Sequence, residues 1–234
     1  MGESFTNALN FWNQVFELDD NAKEEYKKEL SPADWKAFAP SEKLADVLIR
    51  ELAAKEKVLD YGCGEGWAGI ILNKSGCKDV TSVDVVENAV KMADFLKSLF
   101  DIGDGLKTEC VPVDYLSKVA SQSFDGIFCG NVIDVIPSDI SQEIISNFSR
   151  IARPGATIVV AMNYYAEPAD NPEKGLEVKN GNEIYVNVVL RMVTRKDEEW
   201  AQIFKDYFEV TKTEYFAWPG EQEEKRRIFI LKKH

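Results

Sequence analysis

From residue 57 onward, short apolar runs alternate with amphipathic stretches at a nearly constant beat. The runs 58–61, 80–83, 108–113, 124–129 and 156–162 have strand length and are bounded by Gly, Asp, Asn or Pro. Between them, 67–74, 86–100 and 138–152 carry the three- and four-residue apolar spacing of helices. Such alternation implies right-handed crossovers and a parallel sheet covered on both faces. Ahead of it, Phe5, Leu9, Trp12, Val15 and Phe16 form one apolar stripe, and residues 19–29 read as a charged, solvated helix. Ser31-Pro32 is a helix start leading into Trp35 and Phe38, and Ser41 caps a helix over 42–53. After residue 162 the beat changes. Residues 163–175 read as a loop, and 176–192 as a β-hairpin turning at Asn180-Gly181. A helix over 198–207 precedes two strands, 208–218 and 226–232, joined closely enough to be antiparallel neighbours.

In a sheet of this kind ligands lie beyond the carboxyl ends of the strands. That rule sets Asp60 to Gly66, Asp84, Asp114 and Asn131 along one rim. The first turn reads D-x-G-x-G-x-G from Asp60, with glycines at 62, 64 and 66. A dinucleotide fingerprint needs a glycine where this chain has Trp67. A strand, a glycine turn and a helix start together present backbone N–H groups to a ligand at the positive end of a helix. Asp84, at the end of the second strand, is placed to accept hydrogen bonds from both hydroxyls of a ribose, and equally to cap the next helix. Asp114 is placed either to meet an adenine amino group or to cap the short segment after it.

Composition narrows the chemistry. The 234 residues suffice for one large α/β domain with a cap or insertion. The N-terminus lacks the basic and apolar regions of a secretory signal, no apolar run nears the ~20 residues of a membrane span, and a cytoplasmic location is expected. Cys63, Cys77, Cys110 and Cys129 form no C-x-x-C pair and read as reduced, buried thiols. His234 is the sole histidine, so histidine-built zinc sites and Ser/His/Asp triads are set aside, and no metal is expected. Forty acids against 28 bases give a net charge of −12. The cluster Lys225-Arg226-Arg227 is neutralised by Glu221, Glu223 and Glu224, so neither nucleic acid nor a membrane is expected as partner.

VLDYGCGEG, VTSVDVVENAV, VPVDYL, FDGIFCGNVIDVIP and RIARPGATIVVAM resemble, in order, five successive motifs of class I S-adenosylmethionine-dependent methyltransferases of the small-molecule type. The resemblance covers about 41–162 and implies a Rossmann-like, seven-stranded, mostly parallel sheet of order 3-2-1-4-5-7-6. The last strand would be antiparallel and helices would cover both faces. It also implies S-adenosylmethionine as cofactor, with S-adenosylhomocysteine as product. Asp60, Gly62, Cys63, Gly64 and Gly66 would hold its methionine part, Asp84 with Val85 its ribose, and Asp114 with Tyr115 its adenine; Asn131 would contact cofactor or acceptor. The chain lacks the histidines many relatives carry after the fourth strand, having Val132-Ile133-Asp134 instead, and no N-P-P-Y motif follows. The expected reaction is in-line methyl transfer to a small-molecule acceptor. Asp134 and Tyr164 are the catalytic candidates, with Tyr165 and Glu167 as further bases near the pocket. Trp35, Phe38, Asn163, Tyr164 and Tyr165 are the acceptor-binding candidates. The domain plan is an N-terminal helical lid over 1–40 and a catalytic domain over 41–234, with 163–193 as a loop and hairpin over the acceptor. Methylation of a protein or peptide side chain, and a non-catalytic cofactor-binding partner subunit, stay open as alternatives. So do a monomer and a homodimer, the latter through an exposed VNVVL edge.

Overall fold

Residues 3–234 are described by the computed structural model. The chain enters through α1 (Glu3–Val15) and α2 (Asp20–Glu29); the Asp19 carboxylate caps α2 by accepting from the Ala22 N–H at 2.7 Å, and α2 buries no residue. A 3-10 turn at Pro32–Asp34 begins at Ser31, and α3 (Glu42–Leu52) begins at Ser41, whose hydroxyl accepts from the Leu44 N–H. The alternating part follows: β1 (Val58–Tyr61), α4 (Trp67–Lys74), β2 (Val80–Asp84), α5 (Glu87–Leu99), β3 (Leu106–Cys110), the short α6 (Tyr115–Lys118), β4 (Phe124–Gly130), α7 (Ser138–Ile151) and β5 (Ala152–Met162). An insertion then forms β6 (Leu176–Lys179), β7 (Glu183–Val186) and β8 (Val189–Val193), and α8 (Asp197–Lys205), β9 (Glu209–Phe216) and β10 (Arg226–Lys232) come last.

The main sheet has the order β3-β2-β1-β4-β5-β10-β9, with β10 antiparallel to both its neighbours, which is the expected topology. Successive strand residues face opposite sides. Val58, Val80, Phe128, Val159 and Ile228 pack under α3, α4 and α5, whereas Leu59, Val83, Ile127, Val160 and Phe229 pack under α7 and α8. Because β10 runs against β5, its first residues pair with Met162 and return to the carboxyl rim. Arg226 and Arg227 thereby sit at the ligand end of the sheet. No helix among the described residues is long and apolar enough to cross a membrane.

Three expectations need correction. Strand β3 ends at Cys110 rather than residue 113, because its partner β2 stops at Asp84 and Pro112 has no N–H to pair. The insertion is a three-stranded sheet, not a hairpin. Its first turn is the expected one, with Asn180 and Gly181 both at positive φ (50° and 79°). Its second turn, at Asn187-Val188 (φ 49° and 66°), carries no glycine signal and puts a β-branched residue in the left-handed region. Third, Cys63, Cys77 and Cys129 are buried free thiols but Cys110 is exposed, because β3 is an edge strand.

Candidate functional site

The glycine turn between β1 and α4 is the centre of the rim. Gly62, Gly64 and Gly66 all have positive φ (70°, 53° and 81°). A Cβ on Gly62 would lie 2.2 Å from Val132 Cγ2 and one on Gly66 2.8 Å from Ala93 Cβ, so the turn rests against β4's exit on one side and α5 on the other. The Gly62 and Cys63 N–H groups donate to the Val83 carbonyl, at 2.8 and 3.0 Å. Gly66 stands at the N-cap of α4 and has no side chain to satisfy the first-turn donors. Asp60 does so from below. Its buried carboxylate accepts from the Gly69 N–H and, at 2.8 Å, from the Ser82 hydroxyl, and burial raises its pKa to about 7. The acid two residues ahead of the first glycine therefore supports the helix start rather than facing the cleft.

Asp84 bridges the turn and α5. One carboxylate oxygen accepts from Gly64 N–H at 3.0 Å, the other from Val86 N–H at 2.9 Å, and burial lifts its pKa above the usual carboxylate range. Asp84 does not cap α5, whose N-cap is Val86 and has no side-chain cap bond; its carboxylate instead closes a turn just ahead of the helix and ties it to the glycine turn. Val85 is half-buried beside it. Asn131 leaves β4 in the left-handed conformation, φ 56°, with its N–H on the Ala161 carbonyl at 2.8 Å. Asp114 stands apart from this group: its exposed carboxylate pairs with Lys118 at 2.7 Å, and Tyr115 packs against the core. Burial pushes the Cys63 thiol well above its ordinary pKa, so it is no nucleophile.

Helix α1 covers the turn. Phe5 is buried in the core and Leu9 packs beside it, while Trp12 and Phe16 remain half-buried and stacked on each other, centroids 6.1 Å apart. The Phe16 ring lies 3.2 Å from where a Gly64 Cβ would be. Asn13 ties α1 to the start of α5: its carbonyl accepts from Asn88 Nδ2 at 2.8 Å, and its Oδ1 accepts from Asn88 N–H at 3.3 Å. On the other side Arg191 of β8 lies over Phe11 (4.2 Å) and Trp12 (5.7 Å). One helix thus joins α5, the glycine turn and the insertion.

Asp134, expected as a base, has no exposed surface. Its Oδ2 accepts from both the backbone N–H (2.8 Å) and the side-chain amide (3.0 Å) of Asn163, and its carbonyl accepts from Val193 N–H at 2.7 Å. Burial raises its pKa against the pull of Asn163 and Arg227. It fastens the ends of β4, β5 and β8 together. Asn163 is half-buried in this network, with Arg226 and Arg227 donating to its side-chain and main-chain oxygens. Arg226 is held bidentately by Glu221, Lys225 by Glu223, Lys43 by Glu224 and Arg227 by Asp197, so the basic cluster is neutralised as its neighbours suggested.

Tyr164 and Tyr165 line a cleft of about 320 Å³ with Asp197, Tyr215, Glu224, Lys225 and Arg227, beyond the rim ends of β5, β10 and β9. The Tyr165 hydroxyl donates to Glu167 at 2.6 Å, and Tyr164 is 38% exposed. Phe38 is not brought to the rim, and Trp35 is half-buried against the core side formed by α3, α4 and α5. Phe38 packs on Phe100, centroids 5.3 Å apart, at the far end of α5, about 20 Å of helix from Asp84. A larger cleft of about 450 Å³, lined by Ser149, Arg150 and Lys233, opens at the amino edge of the sheet, away from every residue above.

Sequence reasoning missed Phe11, Phe16 and Arg191. The aromatic stripe of α1 was visible but reads as core packing, and Arg191 carries no local signal. Residues 52–215 match the family profile described as a methyltransferase domain. The chain is 27% identical over 164 residues to a ubiquinone biosynthesis O-methyltransferase of Psychrobacter cryohalolentis, covering 70% of this chain but only 58% of that longer protein. Among solved structures, it is similar to Burkholderia thailandensis 1,6-didemethyltoxoflavin-N1-methyltransferase with bound S-adenosylhomocysteine (TM-score 0.69, 14% identity, 100% of this chain and 91% of that one). It is similar also to the N-methyltransferase NodS of Bradyrhizobium japonicum (TM-score 0.62, 15% identity, 97% and 98%).

Proposed function

This chain belongs to the methyltransferase-domain family, and on that premise we propose that it transfers a methyl group from S-adenosylmethionine to a small-molecule acceptor. The observation that carries the reading is the bond from Gly64 N–H to Asp84, which fixes a glycine cradle beside a carboxylate. The cradle suits the cofactor: three left-handed glycines leave the backbone bare, and a side chain on any of them meets strain or a neighbour. When bound, S-adenosylmethionine supplies an already activated methyl electrophile. The chain's own work is then binding, alignment and exclusion of water. The Asp84 carboxylate accepts from the backbone N–H groups of Gly64, Val86 and Val85, and a carboxylate has about four acceptor sites, so capacity remains for a ribose hydroxyl. Asp60 keeps the first turn of α4 in place. Asp114 and Tyr115 stand on the adenine side, where an exposed Lys118 pair costs little to release. Asn131 and Val132 form the back wall.

For the acceptor, helices α1 and α2 act as the lid and the insertion as the wall, with Tyr164 and Tyr165 toward the entrance. Asp134 is a positioning residue. The relatives' small-molecule substrates support that acceptor class. A calorimetric titration should show S-adenosylmethionine and S-adenosylhomocysteine binding and NAD not; tighter binding of NAD ends this reading. A radiolabelled methyl-transfer screen over phenols, amines, thiols and carboxylates then finds the attacking atom.

A further inference from the structure

The arginines of this chain provide their own control. Arg50, Arg150, Arg153, Arg195, Arg226 and Arg227 each donate hydrogen bonds from the guanidinium edge. Two of them also stack by the face: Arg226 lies 4.0 Å over Trp218 while Glu221 takes its edge bidentately, and Arg195 lies 4.9 Å over Trp200 while Ser138 Oγ takes its edge at 2.9 Å. Arg191 is stacked in the same way, 4.2 Å over Phe11 and 5.7 Å over Trp12, yet among the described residues its guanidinium meets no carboxylate and donates no hydrogen bond. Stacking covers the face of a guanidinium and leaves its in-plane N–H donors available. The chain carries forty acids, and none of those described has been placed against this half-buried cation.

Its position gives that unused edge a meaning. Arg191 contacts Trp12, Trp12 stacks on Phe16, and Phe16 covers Gly64. The guanidinium therefore stands between the insertion and the helix that covers the cradle. It is oriented by two rings rather than by a counter-ion. A fork held by its face and open at its edge matches an incoming carboxylate.

We propose that Arg191 is a specificity residue that reads a carboxylate on a ring-bearing acceptor, whose ring lies against the Phe11, Trp12 and Phe16 wall. This rests on the methyltransferase reading above and adds the acceptor class. The test is titration of protein loaded with S-adenosylhomocysteine by 4-hydroxybenzoate, caffeate, phenyl phosphate and phenol. The wild type should bind one of the two carboxylates at least tenfold more tightly than phenol, and more tightly than phenyl phosphate. Arg191→Met, which keeps most of the stem but not the charge, should abolish that preference, and Arg191→Lys should keep part of it. The S-adenosylhomocysteine affinity of both variants should match the wild type. Absence of any anion preference in the wild type, or its survival in Arg191→Met, overturns the proposal. A preference for phenyl phosphate makes the site a phosphate site and overturns the carboxylate assignment. Weaker S-adenosylhomocysteine binding in Arg191→Met gives Arg191 to the cofactor's own carboxylate and also overturns it. If S-adenosylhomocysteine does not bind the wild type, the underlying methyltransferase reading has failed, and this inference with it.

Discussion

The two sides of the rim are built by different means. On the cradle side, main-chain groups are held by buried partners: Gly62 and Cys63 on Val83, Gly64 on Asp84, and the first turn of α4 on Asp60. On the roof side, α1 and the insertion meet through stacked rings, the Arg191 contact and a pair of asparagines. Main-chain hydrogen bonds in a dry site allow one geometry. Ring contacts and half-exposed side chains tolerate displacement and substitution at about 0.5–1.5 kcal/mol each. The cradle is suited to an invariant ligand, and the roof to admitting and selecting a variable one.

The largest expected effect strikes the cradle. Gly66→Ala forces a left-handed alanine, roughly 1–2 kcal/mol, and drives its methyl to within 2.8 Å of Ala93 Cβ, roughly another 1–3 kcal/mol. Urea unfolding should show a loss of about 2–5 kcal/mol together with loss of cofactor binding; a stable, fully binding variant would dissolve the contrast between cradle and roof.

Asp60 gives the next effect, and its sign is opposite to that of a salt-bridged acid. Its pKa rises on folding from 3.8 to about 7, so its contribution is fully present below pH 4 and is lost as pH climbs to 7. Asn does not ionise. The stability of Asp60→Asn relative to wild type should therefore improve by roughly 2–3 kcal/mol between pH 5 and pH 8. A difference that does not vary with pH would mean that Asp60 is already ionised in the fold.

The smallest effect belongs to the roof. Phe16→Ala removes the ring over Gly64 and its stack on Trp12, and should weaken S-adenosylhomocysteine about fivefold, close to 1 kcal/mol. Unfolding stability should fall by less than that. Loss of the whole fold would move α1 from roof to core.

The same contrast explains what could be read beforehand. Strand β1, the turn at 62–66, the caps at Ser31 and Ser41, and the Asn180-Gly181 turn are local patterns, and each was legible from its own residues. The fifth-strand exit was not. Asp134 looks like a free acid after β4, and only Asn163 and Val193, distant in sequence, make it a buried fastener. Trp35 and Phe38 look like a cap, but Phe100 at the far end of α5 claims Phe38. The turn at Asn187-Val188 has no glycine to announce it and is imposed by pairing of β7 with β8. Arg191 depends wholly on where α1 lands.

Asp84 decides the central claim, because it both closes the cradle and is proposed to hold the ribose. Asp84→Ala removes the acceptor of Gly64 N–H and of Val86 N–H, so a modest stability loss of about 1–2 kcal/mol is expected in any case. The measurement that separates the roles is calorimetric titration of folded wild type and folded Asp84→Ala with S-adenosylhomocysteine at one temperature and pH. The wild type should bind, and the variant should lose about 30- to 150-fold in affinity, or 2–3 kcal/mol. Equal affinities in two folded proteins would make Asp84 a structural tie between the glycine turn and the residues before α5 only, and contradict the cradle as the cofactor site.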